Sequence, residues 1–369
     1  MAAADAVRAA IVERDPKASA QIVNSYKYAA SIVSSVVSNG YIGMVKTIPQ
    51  MYRFLYTRAE RATEVGPFRT WIHQFTATNL RSLIERTKPD VVVCTHAFPC
   101  GVMAEYKKQF SDSPPVIGVV TDFVVHSFWI HRNIDGYAVA TEEMRAALIA
   151  RGIKSERIIV SGIPVNANFV VPPQDRQTSR DQLGIPRDRF ALLLMGGGLG
   201  IGPLEMMLRA LNTVEEPLSA TVIVGRNTRL QQRIMEAAQH LQYPVRVLKF
   251  VDNVYDYMHA SDVLLTKPGG LTSAEALVAG IPMMLVKPLP GQEERNTRYL
   301  VERKAALRAK NERDLVRKVT EFLRSPARRE SMLEAIATLA KPRAAQEIAE
   351  MTIRLASRGK EGERIVALV

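Results

Sequence analysis

Apolar residues along this chain follow two rhythms. Short unbroken runs rich in Val, Ile and Leu recur at VVVCTH (91–96), VIGVVTD (116–122), GYAVA (136–140) and RIIVSG (157–162). A second series follows at FALLLMGG (190–197), ATVIVG (220–225), VRVLKF (245–250), DVLLTK (262–267) and PMMLVK (282–287). Between the runs the spacing changes to three and four. Phe68, Ile72, Phe75, Leu80, Leu83 and Ile84, for example, share one face of a helix predicted over 68–86. Continuous apolar strands alternating with helices predict parallel sheets covered on both faces. Two such series predict an α/β chain of two Rossmann-like domains facing a central cleft, with ligands bound beyond the carboxyl ends of the strands.

The Pro-rich polar stretch 163–189 separates the two series and reads as a linker. The expected domains are therefore 1–162 and 190–342. Helices are predicted near 312–324, 328–340 and 343–357, with the segment 343–369 expected to cross back to the first domain. The opening MAAADAVRAAIVE forms a good helix but has no strand ahead of it. A doubly wound domain normally opens with a strand, so the first strand and its glycine-rich loop are expected to be absent.

Composition narrows the partners. At 369 residues and 47% hydrophobic content the chain is long enough for two packed domains. A formal net charge of +12 favours anionic partners: nucleic acid, phosphate-bearing ligands or an anionic membrane surface. No RNA-binding motif is present, so nucleic acid is not expected. Cys94 and Cys100 match no zinc or redox spacing and exclude a disulfide framework, which fits a reducing cytoplasm. No run approaches the ~20 apolar residues of a membrane-spanning helix, and no signal peptide is evident. Residues 16–59, however, contain no Asp or Glu, and they interleave Lys17, Lys27, Lys46, Arg53 and Arg58 with Tyr41, Met51, Tyr52, Phe54 and other bulky residues. That composition suits a segment lying on the inner face of a membrane, against anionic lipids. A packed helical excursion with a solvated basic rim is the alternative.

Candidate chemistry concentrates at strand–helix junctions. MGGGLGIGP (195–203) places five glycines in such a junction, but no register completes G-x-G-x-x-G. The next strand ends on Gly225-Arg226-Asn227, basic where a nicotinamide-dinucleotide site needs an acid. The run therefore points to a diphosphate ligand other than NAD, or to a turn that binds nothing. In TKPGGLTSAEAL, Gly269 and Gly270 turn into a helix that opens with Thr272 and Ser273, so backbone N–H groups, hydroxyls and the helix dipole converge on one place. Glu275 follows, able to accept the hydroxyls of a ribose or only to complement the dipole. In PGQEERN, Gln292, Glu293 and Asn296 fall within one turn of each other and can bond the hydroxyls of a sugar. Taken singly, a solvated helix start explains those three equally well. No D-x-D stands at a strand end, so neither a metal nor a cofactor is expected.

Together the motifs MGGGLGIGP, VGRN, KFVDNVYDYMHASDVLLTKPGGLTSAEAL and KPLPGQEERN resemble the nucleotide-sugar domain of GT-B glycosyltransferases. The PGQE version resembles the glycolipid synthases that make monogalactosyl- or glucosyl-diacylglycerol, relatives of the N-acetylglucosaminyltransferase of peptidoglycan lipid intermediates. The resemblance covers roughly residues 20–345. It implies that Gly197, Gly198 and Gly200 hold the donor's sugar-phosphate, and that Arg226, Phe250 and Val251 flank the uracil and phosphates. Gly269, Gly270, Thr272 and Ser273 would take the diphosphate, Glu275 the ribose, and Gln292, Glu293 and Asn296 the sugar of a UDP-sugar.

The loop VVTDFVVHSFWIH (119–131) resembles the family's Thr-Asp…His…Trp…His run, which assigns catalysis to His126 with Asp122. An imidazole with a pKa near neutrality suits the base that an alcohol nucleophile requires. His96 and Trp129 would line the acceptor and membrane side with Tyr41, Met51, Tyr52 and Phe54, while His73, His240 and His259 read as helix-surface residues. The function implied is an inverting transfer of a hexose from UDP-galactose or UDP-glucose to diacylglycerol at a membrane surface. Transfer of N-acetylglucosamine to a polyprenyl-diphosphate acceptor, a soluble epimerase and a catalytically silent UDP-sugar binder stay open as alternatives.

Overall fold

The apolar runs pair as parallel strands in two six-stranded sheets. The computed structural model describes residues 1–25, 67–170, 175–197, 202–357 and 364–369, and the elements are numbered among these. Tyr41, Met51, Tyr52, Phe54, Gly198 and Gly200 lie outside the described residues. The chain divides into two compact units, one of Met1–Asn166, Pro290–Gln292 and Arg343–Val369, the other of Ala167–Leu289 and Glu293–Pro342.

The first unit opens with α1 (Ala2–Arg14) and β1 (Ser19–Ile22). It continues through α2 (Pro67–Thr87), β2 (Val91–Cys94), α3 (Ala97–Gln109), β3 (Val116–Val119), β4 (Gly136–Ala138), α4 (Glu142–Ala150) and β5 (Ile158–Ile159). Along α2 the expected face is only partly kept. Leu80 is buried, but Phe75 is exposed and His73, read as a surface residue, is buried. His73 faces α3, where its ring would clash with any side chain at Gly101: a Cβ there would lie 2.4 Å from Cε1.

The second unit contains α5 (Arg176–Leu183), β6 (Phe190–Met195), α6 (Leu204–Leu211), β7 (Leu218–Ile223), α7 (Thr228–Ala238) and β8 (Val245–Leu248). Then come α8 (Val254–Ala260), β9 (Val263–Thr266), α9 (Gly270–Ala279), β10 (Met283–Val286), α10 (Gln292–Glu302) and β11 (Ala306–Ala309). The helices α11 (Glu312–Arg324) and α12 (Pro326–Leu339) close it. In α11, Leu315, Val319 and Phe322 recur at helical spacing and are fully buried, while Asn311 caps the first turn by accepting from the Asp314 N–H.

The stretch read as a linker is more than a tether. Its α5 is capped by Asp175, and the buried Arg180 donates to the Ala260 carbonyl at 2.9 Å and to Asp262 at 2.6 Å. Asp262 also accepts the Ala191 N–H at 2.6 Å, so 176–183 is fixed to the edge of the second sheet. The strand order of that sheet is β11-β10-β9-β6-β7-β8. It is the doubly wound order, and the direction of winding reverses between β6 and β9.

The chain ends with α13 (Ala344–Ala356) and β12 (Ile365–Leu368), both in the first unit. Here the structure departs from expectation. No strand precedes α1 among the described residues, but the first sheet has the order β1-β12-β2-β3-β4-β5, with residues 365–368 supplying an interior strand between β1 and β2. Val366 and Leu368 are almost wholly buried. Val366 pairs with Ala20 on one side and Val91 on the other. Asp90 accepts the Ile365 N–H at 2.8 Å, and Arg364 pairs with Asp15, which together fix the start of the strand. Val7 and Ile11 of α1 and Ile348 and Met351 of α13 pack with Val91, Val93, Val366 and Leu368 in one core. In space, therefore, β12, α1 and β1 follow one another as the opening strand–helix–strand of a doubly wound sheet.

Candidate active site

In the second unit the expected donor residues gather at the carboxyl ends of the strands. Gly197 follows β6 with φ +71, a left-handed backbone that glycine tolerates. Gly269 is the N-cap of α9; a Cβ there would meet nothing within 4 Å, so the turn is open on that side. Gly270 begins the helix. Asn296, completely buried, donates from Nδ2 to the Pro268 carbonyl at 3.1 Å. It fixes the turn from behind. The sequence reading placed Asn296 on the sugar, and the structure gives its amide this backbone partner instead.

Ser273, also expected on the diphosphate, is placed differently from Thr272. Its side chain is fully buried and its hydroxyl finds no partner among the described residues, so the open turn is lined by Gly269 and the half-buried Thr272. Glu275, one turn into α9, is half-buried, and the apolar wall around it pushes its carboxyl up to about 8. Such a group is neutral at pH 7 until a ligand supplies donors to its ionised form.

Arg226 and Phe250, at the ends of β7 and β8, are exposed, with the guanidinium carbon 5.2 Å from the Phe250 ring centre. Val251 beside them is half-buried. Glu293 has one oxygen on Lys267 Nζ at 2.8 Å, and its other oxygen accepts the Leu289 N–H at 2.8 Å. Lys267 is a residue that sequence reasoning missed. Its place as the last residue of an apolar strand, two positions ahead of paired glycines, is the signal that could have found it.

The first unit holds the other candidates. His126 is only 5% exposed and precedes a short 3₁₀ turn, Ser127–Trp129, whose Trp129 N–H bonds back to the His126 carbonyl. Its ring packs edge-on against Phe128 at 5.3 Å. Tyr137 of β4, a second residue the sequence reading missed, holds this loop. Its hydroxyl donates to the Trp129 carbonyl at 2.8 Å and accepts the His131 N–H at 2.9 Å. Gly118 on the neighbouring strand makes room for that ring: a Cβ there would lie 2.9 Å from Tyr137 Cε1.

Trp129 is 1% exposed, a core residue and not one facing an acceptor or a membrane. His96 is exposed at the end of β2 and caps α3 by accepting from the Phe98 N–H at 3.3 Å. Asp122 is half-buried and accepts from Gln292 Nε2 at 3.1 Å, Gln292 lying in the 290–292 segment that groups with the first unit. His240 is exposed as expected, but His259 is half-buried, bonded to the backbone at Asn168 and Phe169. Among the described residues no cluster of His, Cys, Asp or Glu is arranged to hold a metal, and no helix is long and apolar enough to cross a membrane.

Comparison with known proteins finds a likeness for each half of the chain. Residues 1–165 match the model of monogalactosyldiacylglycerol (MGDG) synthase, and residues 192–348 match the glycosyltransferase family 28 C-terminal domain. The chain is thus similar to MGDG synthase over its first half and to family 28 glycosyltransferases over its second. Among curated relatives, the processive diacylglycerol beta-glucosyltransferase of Bacillus cytotoxicus is 28% identical over 87% of this chain and 82% of its own length. That of Bacillus mycoides is 28% identical over 86% and 81%. Solved structures of the same fold include Acinetobacter baumannii MurG, with TM-score 0.55, 17% identity and coverage of 77% of this chain and 79% of that one. The UDP-GlcNAc 2-epimerase of Neisseria meningitidis gives 0.57, 15%, 80% and 84%. The chain thus has the GT-B fold, and its two sheets follow the doubly wound pattern.

Proposed function

We propose that the chain is an inverting glycosyltransferase that moves a hexose from a UDP-sugar to the hydroxyl of diacylglycerol at a membrane surface. The observation that carries this reading is the match of its first half to MGDG synthase, because among GT-B activities that half distinguishes the acceptor. The curated relatives, named as diacylglycerol glucosyltransferases, support the same acceptor.

The donor half supplies an open Gly269–Gly270 turn, Gly197 and a neutral Glu275 ready to accept ribose hydroxyls. His126 removes the acceptor's proton while the alcohol oxygen attacks the anomeric carbon from the face opposite the leaving UDP. Its loop is held by Tyr137, and its ring packs edge-on against Phe128. The basic, acid-free segment within 16–59 binds anionic lipid and brings the active site to the surface where diacylglycerol resides.

The test offers UDP-glucose and UDP-galactose separately to the protein with vesicles of anionic phospholipid and diacylglycerol, and analyses the lipid product by proton NMR. A β-linked glycosyldiacylglycerol supports the reading. An α-linked product overturns inversion, and a sugar released without lipid overturns the acceptor.

A further inference from the structure

Lys267 has a position that the donor-binding reading leaves unexplained. It follows β9 directly, at the point of the second sheet where winding reverses between β6 and β9 and where ligands of doubly wound sheets bind. Met195 and Thr266 are paired across these strands, so the residues after them lie side by side. The Lys267 stem runs past Gly197: a Cβ on that glycine would sit 3.3 Å from Lys267 Cε.

Beyond the stem, Nζ donates to Glu293 Oε1 at 2.8 Å, with side-chain exposures of 22% for the lysine and 12% for the glutamate. An ammonium has three N–H donors, and this bond uses one of them. Glu293 is itself anchored through its other oxygen to the Leu289 N–H. A cation is thereby held over a glycine turn and beside the Gly269–Gly270 turn, with donor capacity left over.

We propose that Lys267 is the counter-charge for the nucleotide's diphosphate as it departs, and that Glu293 is the residue that positions it. The inference rests on the UDP-sugar reading given above. In the transfer, the bond from the anomeric carbon to the β-phosphate oxygen breaks and its electron pair stays on that oxygen. The acceptor oxygen bonds to the anomeric carbon, and the acceptor's proton passes to His126. The diphosphate therefore gains negative charge as it leaves, and a fixed cation lowers that barrier more than it strengthens binding of the intact donor.

Two ligands separate this role from a merely structural one. Calorimetric titration of wild type, Lys267→Met and Lys267→Arg with UDP and with uridine is read alongside kcat for the UDP-sugar. The expected result for Lys267→Met is UDP affinity reduced about 10-fold or more, uridine affinity unchanged, and kcat reduced roughly 100-fold, with part of each loss recovered in Lys267→Arg. If Lys267→Met binds UDP as tightly as wild type, the proposal is overturned even where kcat falls. If wild type binds neither ligand, the UDP-sugar reading itself fails.

Should Lys267→Met not fold, reductive methylation of wild type mapped by mass spectrometry reads the same contact. UDP, but not uridine, should protect Lys267; equal labelling with and without UDP overturns the proposal.

Discussion

Replacing Glu275 by Gln should stabilise the ligand-free protein and weaken its hold on UDP. Burial raises the Glu275 carboxyl from an ordinary pKa of 4.5 to about 8. In the unfolded chain the group is ionised above pH 4.5; in the folded chain it keeps its proton until about 8. An acid whose pKa is raised on folding costs nothing below its unfolded value, and its penalty grows as pH rises until it saturates above the folded value. At pH 7 the gap of about 2.5 pH units corresponds to about 3 kcal/mol at most, at 1.36 kcal/mol per unit. The neutral amide of Gln avoids that penalty.

Native-state hydrogen exchange, followed on peptides covering β9 to β10, should show Glu275→Gln gaining protection at pH 7 and 8 and none near pH 4.5. Calorimetry in buffers of different ionisation enthalpy should show wild type releasing a proton on binding UDP at pH 7, with affinity rising towards pH 8. The variant should show neither effect. A variant no more protected at pH 8 than at pH 4.5, together with UDP binding that releases no proton, would refute the reasoning.

Three further outcomes are expected. Asn296→Ala releases the buried Pro268 carbonyl and should cost about 1–3 kcal/mol, seen as a lower unfolding midpoint in denaturant, with weaker UDP binding because the Gly269–Gly270 turn loses its support. Leu368→Ala removes a fully buried side chain from an interior strand of the first sheet and should cost about 2–5 kcal/mol. Limited proteolysis should then cut within the first unit and spare β6–β11. His126→Ala should lose transfer while UDP affinity, measured by calorimetry, stays at the wild-type value.

The sequence was most legible where one element carries its own signal. The apolar runs located nine strands to within a few residues, because a strand buried on both faces must be apolar throughout. It was least legible where distant segments meet. Residues 365–368 read as the tail of a helical region, and nothing local tells that Val366 pairs with both Ala20 and Val91. The short Ala306–Ala309 strand, with Arg308 half-buried at the sheet's edge, lacks the apolar run that marked the others.

The candidate site divides along similar lines. The glycine turns were readable from backbone requirements alone. Which polar side chains face a ligand was not, because burial is set by neighbours: Ser273 and Asn296 sit on α9 and α10 beside residues of the same polarity, yet both turn inward. Trp129 went the same way, its motif pointing to an acceptor and its ring filling the core. Lys267 and Tyr137 show the converse: the packing against Glu293, Gly197 and Trp129 brings them to the candidate site's loops and turns.

The decisive experiment is release of UDP from UDP-glucose or UDP-galactose, followed continuously with anionic vesicles that either contain or lack diacylglycerol. Release that requires diacylglycerol and is abolished by His126→Ala is the predicted result. Release of equal rate without diacylglycerol, or none from a wild-type protein that binds UDP, would contradict the assignment of this chain as a diacylglycerol hexosyltransferase.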